Sequence, residues 1–167
     1  MPPTIELLRK DHDRRSFESG STVLDDWVRT KASQWSKKGL SRVYVATLDG
    51  SAEVCGYYTL SNHYVEFDAL PTDRRSGLPS RTHMPTVLLG RLAVSNAHKG
   101  RGLGRFLLFD AMKRCLAIAE QVGITAMEVE ADGDDARRFY LHNGMTALLD
   151  DPHHLFVSMR EIRALDL

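Results

Sequence analysis

The chain has 167 residues, 43% hydrophobic and 26% charged, the makeup of one soluble globular domain (1–167), which excludes a disordered or low-complexity protein. No apolar run approaches the roughly 18 residues of a bilayer span, and the opening MPPTIELLRKDHDRR lacks a signal peptide's apolar core, so we expect a cytoplasmic protein with no membrane partner. Cys55 and Cys115 stand alone without CxxC spacing, which argues against a disulfide framework or a cysteine zinc site and suits a reducing compartment.

Lys plus Arg and Asp plus Glu number 22 each, but the signs are segregated. Arg74 to Arg105 holds seven basic residues and no acid, whereas Glu120 to Asp151 holds eight acids against Arg137 and Arg138. Such a run serves either as a solvated face or as a surface that meets a polyanion.

In chain order, Thr4–Leu8 reads as an opening strand. Ser21 or Thr22 caps a helix whose apolar positions Val23, Leu24, Trp27, Val28, Ala32 and Trp35 recur at helical spacing, with Gly39 ending it. Arg42–Leu48 and Val54–Leu60 form a hairpin about the Asp49-Gly50 turn. Ala69–Pro85, with three prolines, reads as a long exposed loop. Val87–Val94 is a strand, Ser95–Gly104 a glycine-rich turn, and Arg105–Val122 an amphipathic helix stopped by Gly123. Ala126–Glu130 is a strand, Asp134–Asn143 a helix closed by Gly144, and Leu155–Met159 a last strand. This alternation predicts an α/β fold, a mixed central β-sheet flanked by α-helices.

The segment Lys99-Gly100-Arg101-Gly102-Leu103-Gly104 lies between a strand and a helix. Glycines let the backbone turn tightly, and the first helical amides have no intrahelical partner, so they face outward as donors for an anion. The helix dipole adds attraction, and a pyrophosphate is the natural guest. The P-loop pattern is missing, since no Gly-Lys-Ser or Gly-Lys-Thr occurs, and Leu107 breaks a GxGxxG dinucleotide match.

This stretch resembles motif A of the GNAT superfamily of N-acetyltransferases, with Gly102 and Gly104 in register and Lys99 where Gln or Arg is usual. The resemblance implies a GNAT-like fold using acetyl-CoA and no metal. The backbone of Leu92, Ala93 and Val94 would pair with the pantetheine arm, and the turn Lys99, Gly100, Arg101, Gly102, Leu103, Gly104 and Arg105 would hold the pyrophosphate. Asp134-Asp135-Ala136-Arg137-Arg138-Phe139-Tyr140 is similar to the family's helix that ends in an aromatic pair, with Asp135 where Asn is common. Tyr140 would then be the catalytic acid toward the departing thiolate, a role suited to a phenol of pKa about 10; its bland alternative is a core ring beside Phe139.

The strand before the turn contains no acid, although Glu128 and Glu130 share a face of the next one and could order water. An α-amine of pKa about 7.7–8.0 needs less help from a base than a lysine of about 10.4, which leans the reading toward an α-amine acceptor. Phe17-Glu18-Ser19-Gly20, Leu24-Asp25-Asp26-Trp27, Gly56-Tyr57-Tyr58-Thr59-Leu60 and Leu89-Gly90-Arg91-Leu92-Ala93-Val94 are similar to the acetyltransferase toxins of bacterial toxin–antitoxin pairs. That resemblance implies acetylation of aminoacyl-tRNA, a block of translation, a ribbon-helix-helix antitoxin and a homodimer. Candidate tRNA contacts are Arg29, Lys31, Lys37, Lys38, Arg74, Arg75, Arg81 and Arg91. Trp35 and Tyr64 either stack on terminal bases or pack internally; Asp25 and Asp26 read as helix-start acids, and His153-His154 as a turn pair. Acetylation of a small amine or a protein N-terminus, and a non-catalytic acetyl-CoA module, stay open at this level.

Overall fold

The computed structural model describes residues 2–167. In chain order it contains β1 (Thr4–Leu7), α1 (Thr22–Thr30), α2 (Ala32–Lys37), β2 (Arg42–Thr47), β3 (Gly56–Glu66), β4 (His83–Val94), α3 (Leu103–Ala119), β5 (Ala126–Glu130), α4 (Asp134–His142), β6 (Thr146–Ala147), β7 (His154–Ser158) and α5 (Met159–Ala164). The strands form one sheet in the order β1-β2-β3-β4-β5-β7-β6. Pairing is antiparallel for β1 with β2, β2 with β3, and β7 with both β5 and β6; β4 and β5 run parallel. The expected mixed α/β sheet is what the chain forms. Its residues group into two compact units, 1–61 with 90–111 and 62–89 with 112–167.

In the first unit, Ser21 caps α1 by accepting from the Leu24 amide. The expected single helix is broken at Lys31, and α2 resumes one residue later. The apolar spacing runs across the break because Trp27, Val28, Ala32 and Trp35 all pack on one cluster with Phe17, Val43, Val45 and Tyr57. The hairpin register sets Ala46 opposite Gly56 and Arg42 opposite Leu60. The strand therefore starts at Gly56, not Val54, and continues to Glu66. Gly56 marks a close approach: a Cβ there would sit 2.9 Å from Leu107 Cδ1 and 3.2 Å from the Ala93 carbonyl oxygen.

In the second unit, the expected 69–85 loop is shorter and partly interior. Ala69, Leu70 and Met84 are buried against Ala126, Leu148 and Phe156, and β4 already begins at His83. A single 3₁₀ turn, Thr72–Arg74, is tied down by Arg74, which donates to Glu161 at 2.7 and 3.3 Å. Glu161 also completes a capping box with Ser158 at the start of α5, a helix that the apolar pattern does not announce. The long helix α3 starts at Leu103 and stops at Ala119, two residues earlier and three earlier than its apolar spacing suggests.

Cys55 and Cys115 are both free and buried, and burial pushes their thiols up to about 11 and about 12. Among the described residues no helix is long and apolar enough to cross a membrane.

Candidate active site

The glycine turn belongs to the first unit. After Leu92-Ala93-Val94, the Ser95 amide donates to the Cys55 carbonyl and the Asn96 amide to the Glu18 carbonyl at 2.7 Å, fixing where the turn begins. Gly100 (φ 77°) and Gly102 (φ 81°) take left-handed conformations that a side chain would resist. The first bond of α3 runs from the Phe106 amide to the Gly102 carbonyl at 3.0 Å. Among the described residues, the amides of Leu103, Gly104 and Arg105 have no backbone acceptor, which leaves a row of donors at the positive end of a helix. A cavity of about 310 Å³ beside them is lined by Pro3, Leu48, Asp49, His98, Arg101, Gly102, Leu103 and Phe106. The ladder of β4 with β5 covers Thr86 to Leu89, and Leu92-Ala93-Val94 lies beyond it. A pyrophosphate fits the amide row, and an extended amide-bearing arm fits a strand segment outside that ladder.

Side chains of the turn divide. Arg101 and Arg105 are exposed, with Arg105 lying 5.0 Å over the Phe109 ring. Lys99 instead donates through Nζ to the Ser19 carbonyl, which ties it to the 17–20 segment. That segment is held in turn by Asp25, a buried carboxylate accepting from the Ser19 amide at 3.0 Å and the Ser19 hydroxyl at 2.6 Å. Asp25 is thus a structural anchor as well as a first-turn acid, while Asp26 is exposed near Arg29.

Tyr140 lies in α4 of the second unit, buried and edge-to-face with Phe139 at 5.2 Å. Burial raises its hydroxyl above the ordinary 10, so it stays protonated across the physiological range. Glu128, which the sequence offers with Glu130 as an acid that could order water, is fully buried. It accepts from Thr86 Oγ1 at 2.5 Å, meets His63 Nδ1 at 2.5 Å, and bonds His154 Nε2. Burial alone would raise this carboxyl, but bonds from His154, Thr86 and His63 outweigh it and leave it below 4.5. Its partners come from β3, β4 and β7, so no local pattern announces the cluster. Glu130 is exposed. His153 pairs with Asp134 at 2.8 Å, and His154 opens β7. Among the described residues no group of three His, Cys, Asp or Glu is placed to hold a metal ion.

The basic candidates also split. Lys31, Lys37, Lys38 and Arg81 are exposed. Arg29 donates to the Phe17 carbonyl, Arg74 is paired with Glu161, and Arg75 donates to the carbonyls of Leu70 and Asp68 at 3.0 Å. Arg91 lies 4.0 Å over Trp27 and 5.1 Å over Trp35. Trp35 packs edge-on against Trp27, and Tyr64 stacks between His63 and His83.

Left-handed glycines feeding bare amides into a helix start, after a strand that outruns its parallel partner, make a cradle for a diphosphate. Residues 4–145 match the Acetyltransferase (GNAT) family model, and the chain belongs to that family. It is 40% identical over 153 residues to the tRNA-acetylating toxin of Mycobacterium tuberculosis, covering 92% of this chain and 90% of the relative. Among solved structures it resembles AtaT complexed with acetyl-methionyl-tRNAfMet, with TM-score 0.92, 29% identity and coverage of 99% and 100% of the two chains. It also resembles a tyrosine-to-phenylalanine mutant of the AtaT toxin bound to the C-terminus of the antitoxin AtaR and acetyl-CoA, with TM-score 0.82, 27% identity and coverage of 99% and 98%.

Proposed function

We propose that this chain is a toxin-type N-acetyltransferase, working as one domain over its length, that moves the acetyl group of acetyl-CoA onto the α-amine of aminoacyl-tRNA and so blocks translation. The observation that carries the reading is the amide row at the start of α3, joined to 40% identity with a tRNA-acetylating toxin over most of the chain.

The amides from Arg101 to Arg105 hold the pyrophosphate, with the Arg101 and Arg105 side chains beside them, and the backbone of Leu92–Val94 aligns the pantetheine arm. Acetyl-CoA supplies a thioester open to attack by an amine. An α-amine of pKa about 7.7–8.0 is substantially neutral near pH 7.5, which suits a β4 that holds no acid. As the C–N bond forms and the C–S bond breaks, Tyr140 gives its hydroxyl proton to the departing thiolate. The proton lost by the amine returns to the Tyr140 phenolate, directly or through solvent, and restores the phenol. Burial holds Tyr140 in the acid form that this step needs.

Exposed Lys31, Lys37, Lys38 and Arg81 meet tRNA phosphates, and Arg91 reaches them from its indole seat. The AtaT–AtaR pairing supports a cognate antitoxin, for which we assign the ribbon-helix-helix class. We also assign a homodimer, which would widen the basic surface, and a cytoplasmic site of action, where charged tRNA is found. Incubation with acetyl-CoA and charged tRNA, followed by mass analysis of the esterified amino acid, tests the reading. The expected product carries one acetyl group on its α-amine. Turnover confined to a polyamine, a free amino acid or a peptide N-terminus would replace it with small-amine or N-terminal acetylation.

A further inference from the structure

We propose a second anion site in the first unit, apart from the glycine turn, where Lys10, Arg14 and Arg29 bind the phosphodiester backbone of the RNA substrate. The proposal rests on the tRNA reading above and adds a contact region to it. A cavity of about 500 Å³ is lined by Lys10, Asp11, His12, Asp13, Arg14, Arg15 and Arg29, every one a titratable side chain.

The acids in this wall are already engaged. Asp11 pairs with Arg9 at 3.1 Å, and Asp13 with Arg15 at 3.2 Å. His12 is buried, accepting from the Arg9 amide at Nδ1 (2.8 Å) and donating from Nε2 to Glu6 (3.0 Å), so both ring nitrogens are committed internally. Three cations are left. Arg14 gives one N–H to the Val28 carbonyl at 2.9 Å, and Arg29 gives one to the Phe17 carbonyl. Each bond uses a single donor of a five-donor fork and fixes its direction. Arg29 Nε is buried with no hydrogen-bond partner, and the carboxylate paired with this side chain, Asp26, stands 3.7 Å off at the exposed surface. Lys10 adds an exposed third charge.

Capping the end of α1 would explain one donor of Arg14. It explains neither the remaining donors of the two half-exposed forks nor a lysine at the same mouth. Anchored guanidiniums with spare N–H groups suit phosphate oxygens, because little side-chain freedom is left to lose on binding. The sequence offers Arg29 as a candidate tRNA contact, whereas Lys10 and Arg14 are brought beside it only by the fold.

The test is binding of uncharged tRNA, followed by fluorescence anisotropy between about 50 and 200 mM salt. Lys10→Glu should weaken tRNA binding at least about fivefold and flatten the slope of log K against log salt by about 1, with acetyl-CoA affinity unchanged. Arg29→Gln should act in the same direction; should it fail to fold, the exposed Lys10 variant decides alone. An unchanged affinity and slope in Lys10→Glu overturns the site, including the case in which an acidic protein segment is the true occupant. Displacement of tRNA by inorganic phosphate at constant ionic strength and low millimolar concentration assigns the cavity to free phosphate and also overturns it. The predicted slopes support the site whether or not the unmutated chain acetylates charged tRNA, so a failure of the catalytic reading is seen separately, in the mass analysis.

Discussion

The imidazole of His154 is held between two carboxylates, with Nε2 bonded to the buried Glu128 and Nδ1 2.9 Å from Asp150. The bond to Glu128, outweighing burial and aided by Asp150, raises the imidazole from 6.5 to about 9. A raised histidine adds stability that is fully present below 6.5 and drains away as pH climbs through about 9. Glu128, lowered from 4.5, adds stability that is full above 4.5 and is lost as pH falls through its folded value. Denaturant unfolding should therefore find the pair's contribution greatest between 4.5 and 6.5. A decline of about 1–3 kcal/mol toward pH 9 is expected, allowing for partial screening by water. His154→Gln should flatten that alkaline limb; an equally steep limb in the variant would contradict the assignment.

Tyr140→Phe removes one oxygen from a buried ring that packs on Phe139. We expect turnover to fall about 10²–10⁴-fold while acetyl-CoA affinity, measured by calorimetry, stays within about twofold. Matching losses in both quantities would point to a packing role instead.

Gly102 has open space around it, with nothing within 4 Å of where a Cβ would stand, so its requirement lies in φ and not in crowding. Gly102→Ala should cost about 1–2 kcal/mol of stability and leave weakened acetyl-CoA binding. Gly102→Glu should abolish binding, because a carboxylate then faces the pyrophosphate. Undiminished heat of binding in the Glu variant would remove the amide row from the mechanism.

Gly56 is the opposite case. Its φ lies outside the left-handed range, but a Cβ would press on Leu107 and the Ala93 carbonyl oxygen. Gly56→Ala should destabilise by about 1–3 kcal/mol, read as a shift in the denaturation midpoint. Shortening the neighbour in the double variant Gly56→Ala with Leu107→Val should recover part of that loss; strict additivity would argue against the clash.

What can be read from the chain before folding is what is written locally. The glycine turn, α3 and α4 declare themselves because their signals lie within one turn or one heptad. The break at Lys31 is hidden because Trp27 and Trp35 serve the same cluster on either side of it. Two-residue β6 is too short to show a period. Glu128 looks like a surface acid because the groups that neutralise it, His63, Thr86 and His154, arrive from distant strands. Arg74 looks like a free phosphate ligand for the same reason: its carboxylate is Glu161, 87 residues away.

The two buried thiols make the chain its own unfolding gauge. Cys55 falls in the first unit and Cys115 in the second, and both are held in the unreactive protonated form. A maleimide reagent should leave the native protein unmarked, and each cysteine should become labelled only when its own neighbourhood opens. Peptide mapping after pulsed alkylation would then time the loosening of each half independently, without inserting any foreign reporter.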